Sequence, residues 1–167
     1  MKFLLALQFL TRIPITLRGN IGPEDMGRSM AYFPLVGLLL GVLTSAIHTL
    51  LSAILPPPIC DLLAIAFLVF ITGNMHGDGL MDTADGLFSG RPREGILEIM
   101  KDSRVGSHGV MAGSLLLLAK FVLLGEIALS TKGLALILAP ALGRWVQVYG
   151  AAFYPYARSE GGTASFT

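Results

Sequence analysis

An Asp- and Gly-rich segment between Gly73 and Gly86 is the stretch of the sequence best suited to chemistry. Asp78, Asp82 and Asp85 stand at positions i, i+4 and i+7, so a helix places the three carboxylates on one face. Like charges arranged in this way repel one another unless a cation lies between them. Mg²⁺ prefers carboxylate oxygens and keeps several of its waters, so two or three Asp side chains suit it. The spacing therefore predicts a Mg²⁺ site at these three residues.

A second group of charged residues follows at positions 93–106. Asp102 could add a further carboxylate to the metal site. Lys101 and Arg104 could bind phosphate oxygens, the arginine through a two-pronged contact. His76 could contact metal or phosphate or act as a general base, and a capping or packing role stays open for it. These residues predict a site for a metal ion and a phosphate-bearing substrate.

The composition of the chain indicates a membrane protein. Of the 167 residues, 53% are hydrophobic and 14% are charged, and the mean hydropathy is +0.70. A soluble domain carries about a quarter charged residues, so the apolar excess is too large for one globular core. The net charge of +1 gives no indication of a nucleic-acid partner. A single cysteine, Cys60, excludes an internal disulfide and a Cys-based zinc cluster.

The apolar segments predict an all-α, polytopic fold with about four transmembrane helices, since each span needs about 20 residues. The predicted spans are residues 30–55, 61–75, 110–130 and 134–153. The second is short, so its helix is expected to extend into the Asp-rich motif. Lys132 and Gly133 are expected to form the turn between the last two spans. Residues 3–17 are interpreted as an N-terminal interfacial helix on the membrane surface.

Two pairs of glycines have the spacing that lets helix backbones approach closely. Gly37 and Gly41 lie in the first predicted span, and Gly109 and Gly113 lie at the entrance to the third. We interpret both pairs as packing contacts rather than as parts of a catalytic site.

Basic residues predict the orientation of the chain, because cytoplasmic loops are enriched in Lys and Arg. Of the basic residues outside the predicted spans, only Lys132 lies on the side of the membrane opposite to the cytoplasm. The others are Lys2, Arg12, Arg18, Arg28, Arg91, Arg93, Lys101, Arg104 and Arg158. The chain is thus expected to form one membrane-embedded domain over residues 1–167, with residues 76–109 as a cytoplasmic active-site segment.

Five blocks of sequence resemble the cobalamin synthase (adenosylcobinamide-GDP ribazoletransferase) family. They are residues 7–14 (LQFLTRIP), 33–41 (FPLVGLLLG), 76–86 (HGDGLMDTADG), 96–109 (ILEIMKDSRVGSHG) and the tail at 156–158. The blocks occur in family order and cover nearly the whole chain. Family members continue with further helices, so this chain is expected to correspond to their N-terminal two thirds and to lack their C-terminal third.

The resemblance implies a Mg²⁺-dependent transferase of cobalamin biosynthesis in the cell inner membrane. A hydroxyl of alpha-ribazole, or of its 5'-phosphate, would attack the cobinamide-side phosphate of adenosylcobinamide-GDP, and GMP would leave. Membrane lipid surrounds such an enzyme, and no nucleic acid takes part. The resemblance assigns the metal to Asp78, Asp82, Asp85 and Asp102, and the diphosphate to Lys101 and Arg104 with His76 nearby.

Two other functions fit parts of the sequence. Residues 82–86 match the opening of the CDP-alcohol phosphotransferase motif, but Ser89 and Gly90 occupy the place of its Ala-Arg pair. A divalent-cation transporter would need acidic residues near the middle of the bilayer. The acids cluster instead on the predicted cytoplasmic side, and Glu126 is the only acid expected within a span.

Overall fold

The structure, a computed structural model, describes residues 1–17 and 21–157, and all the regular secondary structure in this part of the chain is helical. The helices are α1 (Lys2–Leu10), α2 (Pro23–Ser29), α3 (Phe33–Leu51), α4 (Pro57–Thr72), α5 (Met75–Leu87), α6 (Arg93–Ile99), α7 (Ser107–Glu126) and α8 (Leu129–Phe153). A 3-10 turn, Met30–Tyr32, connects α2 to α3. The predicted all-α class is confirmed. Arg18 and Arg158, used in the topology prediction, lie outside the described residues.

Three helical segments are long and apolar enough to cross a membrane: Pro23–Leu51, Ser107–Glu126 and Leu129–Phe153. A fourth span results if α4 and α5 are counted together as one broken span. These helices indicate a multi-pass membrane protein with about the predicted number of spans. The expected turn at Lys132 is wrong, because Lys132 lies inside α8 and the break falls at Ile127 and Ala128.

The chain divides into two compact units. The first unit contains Met1–Gly73 and the described residues from Ile127 onward, and the second is Asn74–Glu126. The segment 76–109, predicted to carry the active site, lies wholly within the second unit. The single membrane-embedded domain expected for residues 1–167 stays a prediction.

The N-terminal helix belongs to the core of the first unit. Its residues Ala6 and Leu10 are fully buried against Phe33, Val36 and Leu40 of α3. The helix is shorter than the expected 3–17 segment: Thr11 has an extended backbone, and its hydroxyl donates to the Leu7 carbonyl at 2.6 Å. A proline at 14 also disfavours further helix. The location of this helix at a membrane surface stays a prediction.

Helices α3 and α8 pack at backbone distance. A Cβ atom added to Gly41 would lie 2.7 Å from the Cα of Ile137, and one added to Gly37 would lie 2.8 Å from the Cα of Ala141. An added Cβ at Gly133 would meet the Ser45 hydroxyl at 3.1 Å. The residue numbers of these contacts increase along α3 while they decrease along α8, so the two helices are antiparallel. The packing role predicted for the Gly37 and Gly41 pair is confirmed.

A buried cluster of three ionisable side chains connects α3, α4 and α8. Lys132 Nζ lies 2.8 and 3.0 Å from the two carboxylate oxygens of Asp61, and His48 Nε2 lies 2.9 Å from Asp61 Oδ1. The side chains of Asp61 and Lys132 are 3% and 4% exposed. The expectation that Glu126 is the only acid within a span is therefore wrong. Asp61 lies inside α4 because that helix begins earlier than predicted, at Pro57, and proline suits the first turn.

Alanine at Gly41 should destabilise the chain because its Cβ has no room against the backbone of α8. We expect the Gly41→Ala variant to lose about 1–3 kcal/mol of unfolding free energy, the usual cost of overpacking. Gly143→Ala is the matched control, since an added Cβ there has no atom within 4 Å. Unfolding of both variants in mixed micelles would measure the difference, and equal stability of the two would contradict the packing described.

Removal of the Lys132 charge should leave the Asp61 carboxylate buried without its main partner. Breaking one side of a buried ion pair costs about 3–5 kcal/mol, and we expect this loss for Lys132→Met. Addition of Asp61→Asn to that variant removes the orphaned charge and should restore most of the stability. The same micellar unfolding measurement applies, and a double variant less stable than Lys132→Met would show that the charges are not coupled.

Candidate active site

Helix α5 carries the Asp residues that the sequence singled out. It begins after Gly73 and Asn74, whose φ angles of 63° and 59° lie in the left-handed region. At the end of α4, the N–H of Gly73 donates a hydrogen bond to the Phe70 carbonyl at 3.2 Å. The helix expected to continue from the second span into the motif is therefore interrupted here. Asn is one of the few residues other than glycine that tolerate this conformation.

The three carboxylates of α5 lie on one helix, as predicted, but in different surroundings. Asp78 is exposed in the first turn, whereas Asp82 and Asp85 are partly buried one and two turns later. His76, near the start of the helix, is exposed. The solvent exposure of this face of α5 thus decreases from Asp78 to Asp85.

Asp85 binds the beginning of α7 through two backbone amides. Gly106 N–H donates to Asp85 Oδ2 at 2.7 Å, and Gly109 N–H donates to Asp85 Oδ1 at 2.8 Å. Gly106 directly precedes α7, and Gly109 is the third residue of that helix. These amides were not predicted from the sequence. The available signal was the pair of glycines around the start of α7, where residue 106 has no side chain to cap the helix.

Close packing of small residues surrounds this contact. A Cβ at Gly109 would lie 2.9 Å from the carbonyl oxygen of Met81, and one at Gly113 would lie 2.9 Å from the Met81 sulfur. The packing predicted for the Gly109 and Gly113 pair is confirmed. Gly86 is buried beneath α6, since an added Cβ would come within 3.0 Å of the side chains of Ile96 and Met100.

Asp102 and Arg104 form an ion pair with each other in the segment between α6 and α7. Arg104 Nε lies 3.0 and 3.1 Å from the two carboxylate oxygens, and Nη2 lies 2.7 Å from Oδ2. The hydrogen bond from the Arg104 side chain lowers the pKa of Asp102 to about 2 and raises the pKa of Arg104. The nearby Lys101 is exposed. A predicted metal ligand and a predicted phosphate-binding residue are thus partners.

The predicted metal ligands are not gathered into a closed cage. Within residues 1–17 and 21–157, no three His, Cys, Asp or Glu side chains are grouped closely enough to hold a metal ion. Mg²⁺ is usually held by one or two carboxylates together with waters and substrate phosphates, rather than by a cage of protein ligands alone. Asp78 and Asp82, four residues apart on one helix, have the donor chemistry for that kind of site.

The fold and the row of acids on α5 define a multi-pass, all-helical membrane protein with a carboxylate-bearing helix. The sequence model of the cobalamin-5-phosphate synthase family matches residues 2–167, and the chain belongs to this family. The resemblance found in the sequence is confirmed. No solved structure matches the chain.

The chain is similar to curated proteins named adenosylcobinamide-GDP ribazoletransferase. The protein of Desulforamulus reducens is 44% identical over 158 residues, which cover 95% of this chain and 63% of the relative. That of Clostridium acetobutylicum is 41% identical over 166 residues, covering 99% and 66%. That of Klebsiella pneumoniae is 42% identical over 164 residues, covering 96% and 67%. The chain thus spans about two thirds of the length of these relatives.

The ion pair between Asp102 and Arg104 predicts an unusual titration. Because the pKa of Asp102 is lowered in the folded chain, the pair is complete above about pH 4 and is lost as the pH falls through about 2. Carboxyl ¹³C NMR should give a midpoint near 2 for Asp102, and Arg104→Gln should return it toward 3.8. The control Arg91→Gln should not move it. A midpoint near 3.8 in the unmutated chain would contradict the pairing.

Proposed function

We propose that this chain takes part in adenosylcobinamide-GDP ribazoletransferase activity in the last steps of cobalamin biosynthesis. A hydroxyl of alpha-ribazole, or of its 5'-phosphate, attacks the cobinamide-side phosphorus of adenosylcobinamide-GDP. A new P–O bond forms, the P–O bond of the diphosphate breaks, the hydroxyl loses its proton, and GMP leaves with the electron pair. The observation that carries the proposal is the row of Asp residues on α5 within the region matched to the family.

Transfer of a phosphoryl group depends mainly on positioning and on neutralising charge, because the phosphate oxygens and the leaving group are anionic. A bound Mg²⁺ would supply this neutralisation. Asp78 and Asp82 are the residues that would hold it, since their carboxylates share a face of α5 and the substrate would provide the remaining oxygens. His76, one turn or less before Asp78, is placed near the same phosphates in this proposal.

Lys101 and Arg104 would bind the diphosphate. Both side chains are exposed, and Arg104 engages only Nε and Nη2 in its pair with Asp102. A guanidinium carries five N–H donors, so this pair leaves donors for an anion. In this proposal Asp102 orients the guanidinium, and it would join the metal site only if the pair opened.

We also propose that the chain lies in the cell inner membrane with the segment that bears α6 on the cytoplasmic side. The distribution of Lys and Arg supports this orientation, since the residues between α5 and α7 include Arg91, Arg93, Lys101 and Arg104. A soluble GDP-linked group and an amphiphilic corrinoid would both reach a site at that surface. Membrane lipid is the other expected partner.

Reconstitution in lipid vesicles tests the proposed reaction. The chain, and a fusion that adds the C-terminal third of the Desulforamulus reducens relative, would be supplied with adenosylcobinamide-GDP, alpha-ribazole and Mg²⁺ while GMP is measured. We expect GMP release that requires both the acceptor and Mg²⁺. Asp82→Asn should lower the rate about a hundredfold or more, as expected when an electrostatic contact to the transition state is lost.

The matched control is Glu98→Gln on α6, an exposed acid in the same segment, which should leave the rate unchanged. Absence of GMP from both the chain and the fusion would overturn the proposed activity. Full activity of Asp82→Asn would overturn the metal assignment alone.

A further inference from the structure

The carboxylate of Asp85 takes the place of a missing helix cap. The first N–H groups of an α-helix have no acceptor within the helix, and a side chain at the capping position usually supplies one. Residue 106, just before α7, is a glycine and has no such side chain. Asp85 supplies both oxygens from a different helix, at 2.7 Å to Gly106 N and 2.8 Å to Gly109 N. We propose that Asp85 is a positioning residue that fixes the start of α7 to α5, and that it does not bind the metal.

The two glycines leave space only for this carboxylate. A Cβ at Gly106 would lie 2.5 Å from Asp85 Oδ1 and 2.9 Å from its Cγ. A Cβ at Gly109 would clash with Asp85 Oδ2 and would lie 3.0 Å from Cγ. Any side chain at either position would therefore displace the carboxylate. This fit on both sides is what a fixed structural contact requires.

A metal ion at Asp85 would meet an unfavourable field. The N-terminus of a helix carries roughly half a positive elementary charge, which favours anions and disfavours cations beside it. The two amide hydrogens of α7 already occupy a lone pair on each oxygen of Asp85. Asp78 and Asp82 lie earlier on α5, away from these two amides in sequence and nearer its exposed end. The row of three acids thus divides into two metal-facing residues and one that holds α7.

Two contacts with α5 hold the two ends of the segment that carries Lys101 and Arg104. Its first part is held by Ile96 of α6 and by Met100, just after that helix, which lie against Gly86 of α5. Its last part is held at Gly106, two residues after Arg104. On α5 the two attachments are at adjacent residues, Gly86 and Asp85. The inference that the segment is positioned for a diphosphate rests on the proposed function, whereas the contact itself does not.

Hydrogen exchange and metal binding separate the two roles of the acids. In Asp85→Asn the amide oxygen can still accept one of the two hydrogen bonds. The NH₂ group that replaces the other oxygen would face a backbone N–H and could not accept from it. In the lipid-reconstituted chain, we expect amide exchange at residues 106–109 to rise about tenfold in this variant, as for loss of a helix cap. Mn²⁺ would serve as the probe ion, and its affinity, measured by electron paramagnetic resonance, should be unchanged. Asp82→Asn should show the opposite: unchanged exchange and an affinity lowered about tenfold or more.

Gly109→Ala is a second variant, which crowds both the carboxylate and the Met81 carbonyl but keeps all the acids. It should raise exchange at residues 106–109 as Asp85→Asn does and should leave Mn²⁺ affinity unchanged. In the GMP assay, both variants should raise the KM for adenosylcobinamide-GDP without changing the Mg²⁺ concentration that gives half of the maximal rate. Loss of stability alone would lower the amount of active protein and would not move the KM.

Two outcomes would overturn the proposal. One is unchanged exchange at residues 106–109 in both Asp85→Asn and Gly109→Ala. The other is a loss of Mn²⁺ affinity in Asp85→Asn that equals the loss in Asp82→Asn. Absence of Mn²⁺ binding to the unmutated chain would instead contradict the metal site proposed for Asp78 and Asp82, and the exchange comparison would still decide whether Asp85 holds α7.

Discussion

The buried carboxylate of Asp61 determines how the helices of the first unit meet. An ionised group that is removed from water is costly unless it is paired and hydrogen-bonded, so Asp61 needs Lys132 and His48 where they are. These partners come from the last turn of α3 and the first turns of α8. The requirement fixes one end of the α3–α8 pair. The contacts at Gly41 and Gly37 follow in order along the same two helices, so a shift in register would break both sets of interactions.

The second unit depends on a carboxylate in a different way. Asp85 is satisfied by two backbone amides rather than by charged side chains, and the glycines that supply them also allow the close approach of α5 and α7. Substitution by any residue except proline leaves a backbone N–H in place, and a rotamer change does not move it. The geometry at Asp85 is therefore set by the path of the chain, whereas the geometry at Asp61 is set by three side chains.

Local patterns predicted the features that depend on neighbouring residues. Spacing alone placed Asp78, Asp82 and Asp85 on one helix and identified both glycine pairs as packing contacts. It did not reveal the cluster at Asp61, because its partners come from distant parts of the chain and ion pairs between distant segments leave no local pattern. Lys132 was taken for a turn residue because Gly133 follows it. The amides that bind Asp85 were also missed, since the glycines around the start of α7 show where a side chain is absent and do not show which distant carboxylate takes its place.

The length of α8 has a consequence for the lipid that surrounds it. Its 25 residues extend about 38 Å at 1.5 Å per residue, whereas the hydrocarbon layer is about 30 Å thick. The 20 residues of α7 match that thickness. The C-terminal part of α8 carries a row of exposed rings, Trp145, Tyr149 and Phe153, and Trp and Tyr favour the headgroup region. Bilayer thickness therefore acts on α8 through hydrophobic mismatch, and a bilayer of shorter acyl chains would increase the tilt of this helix.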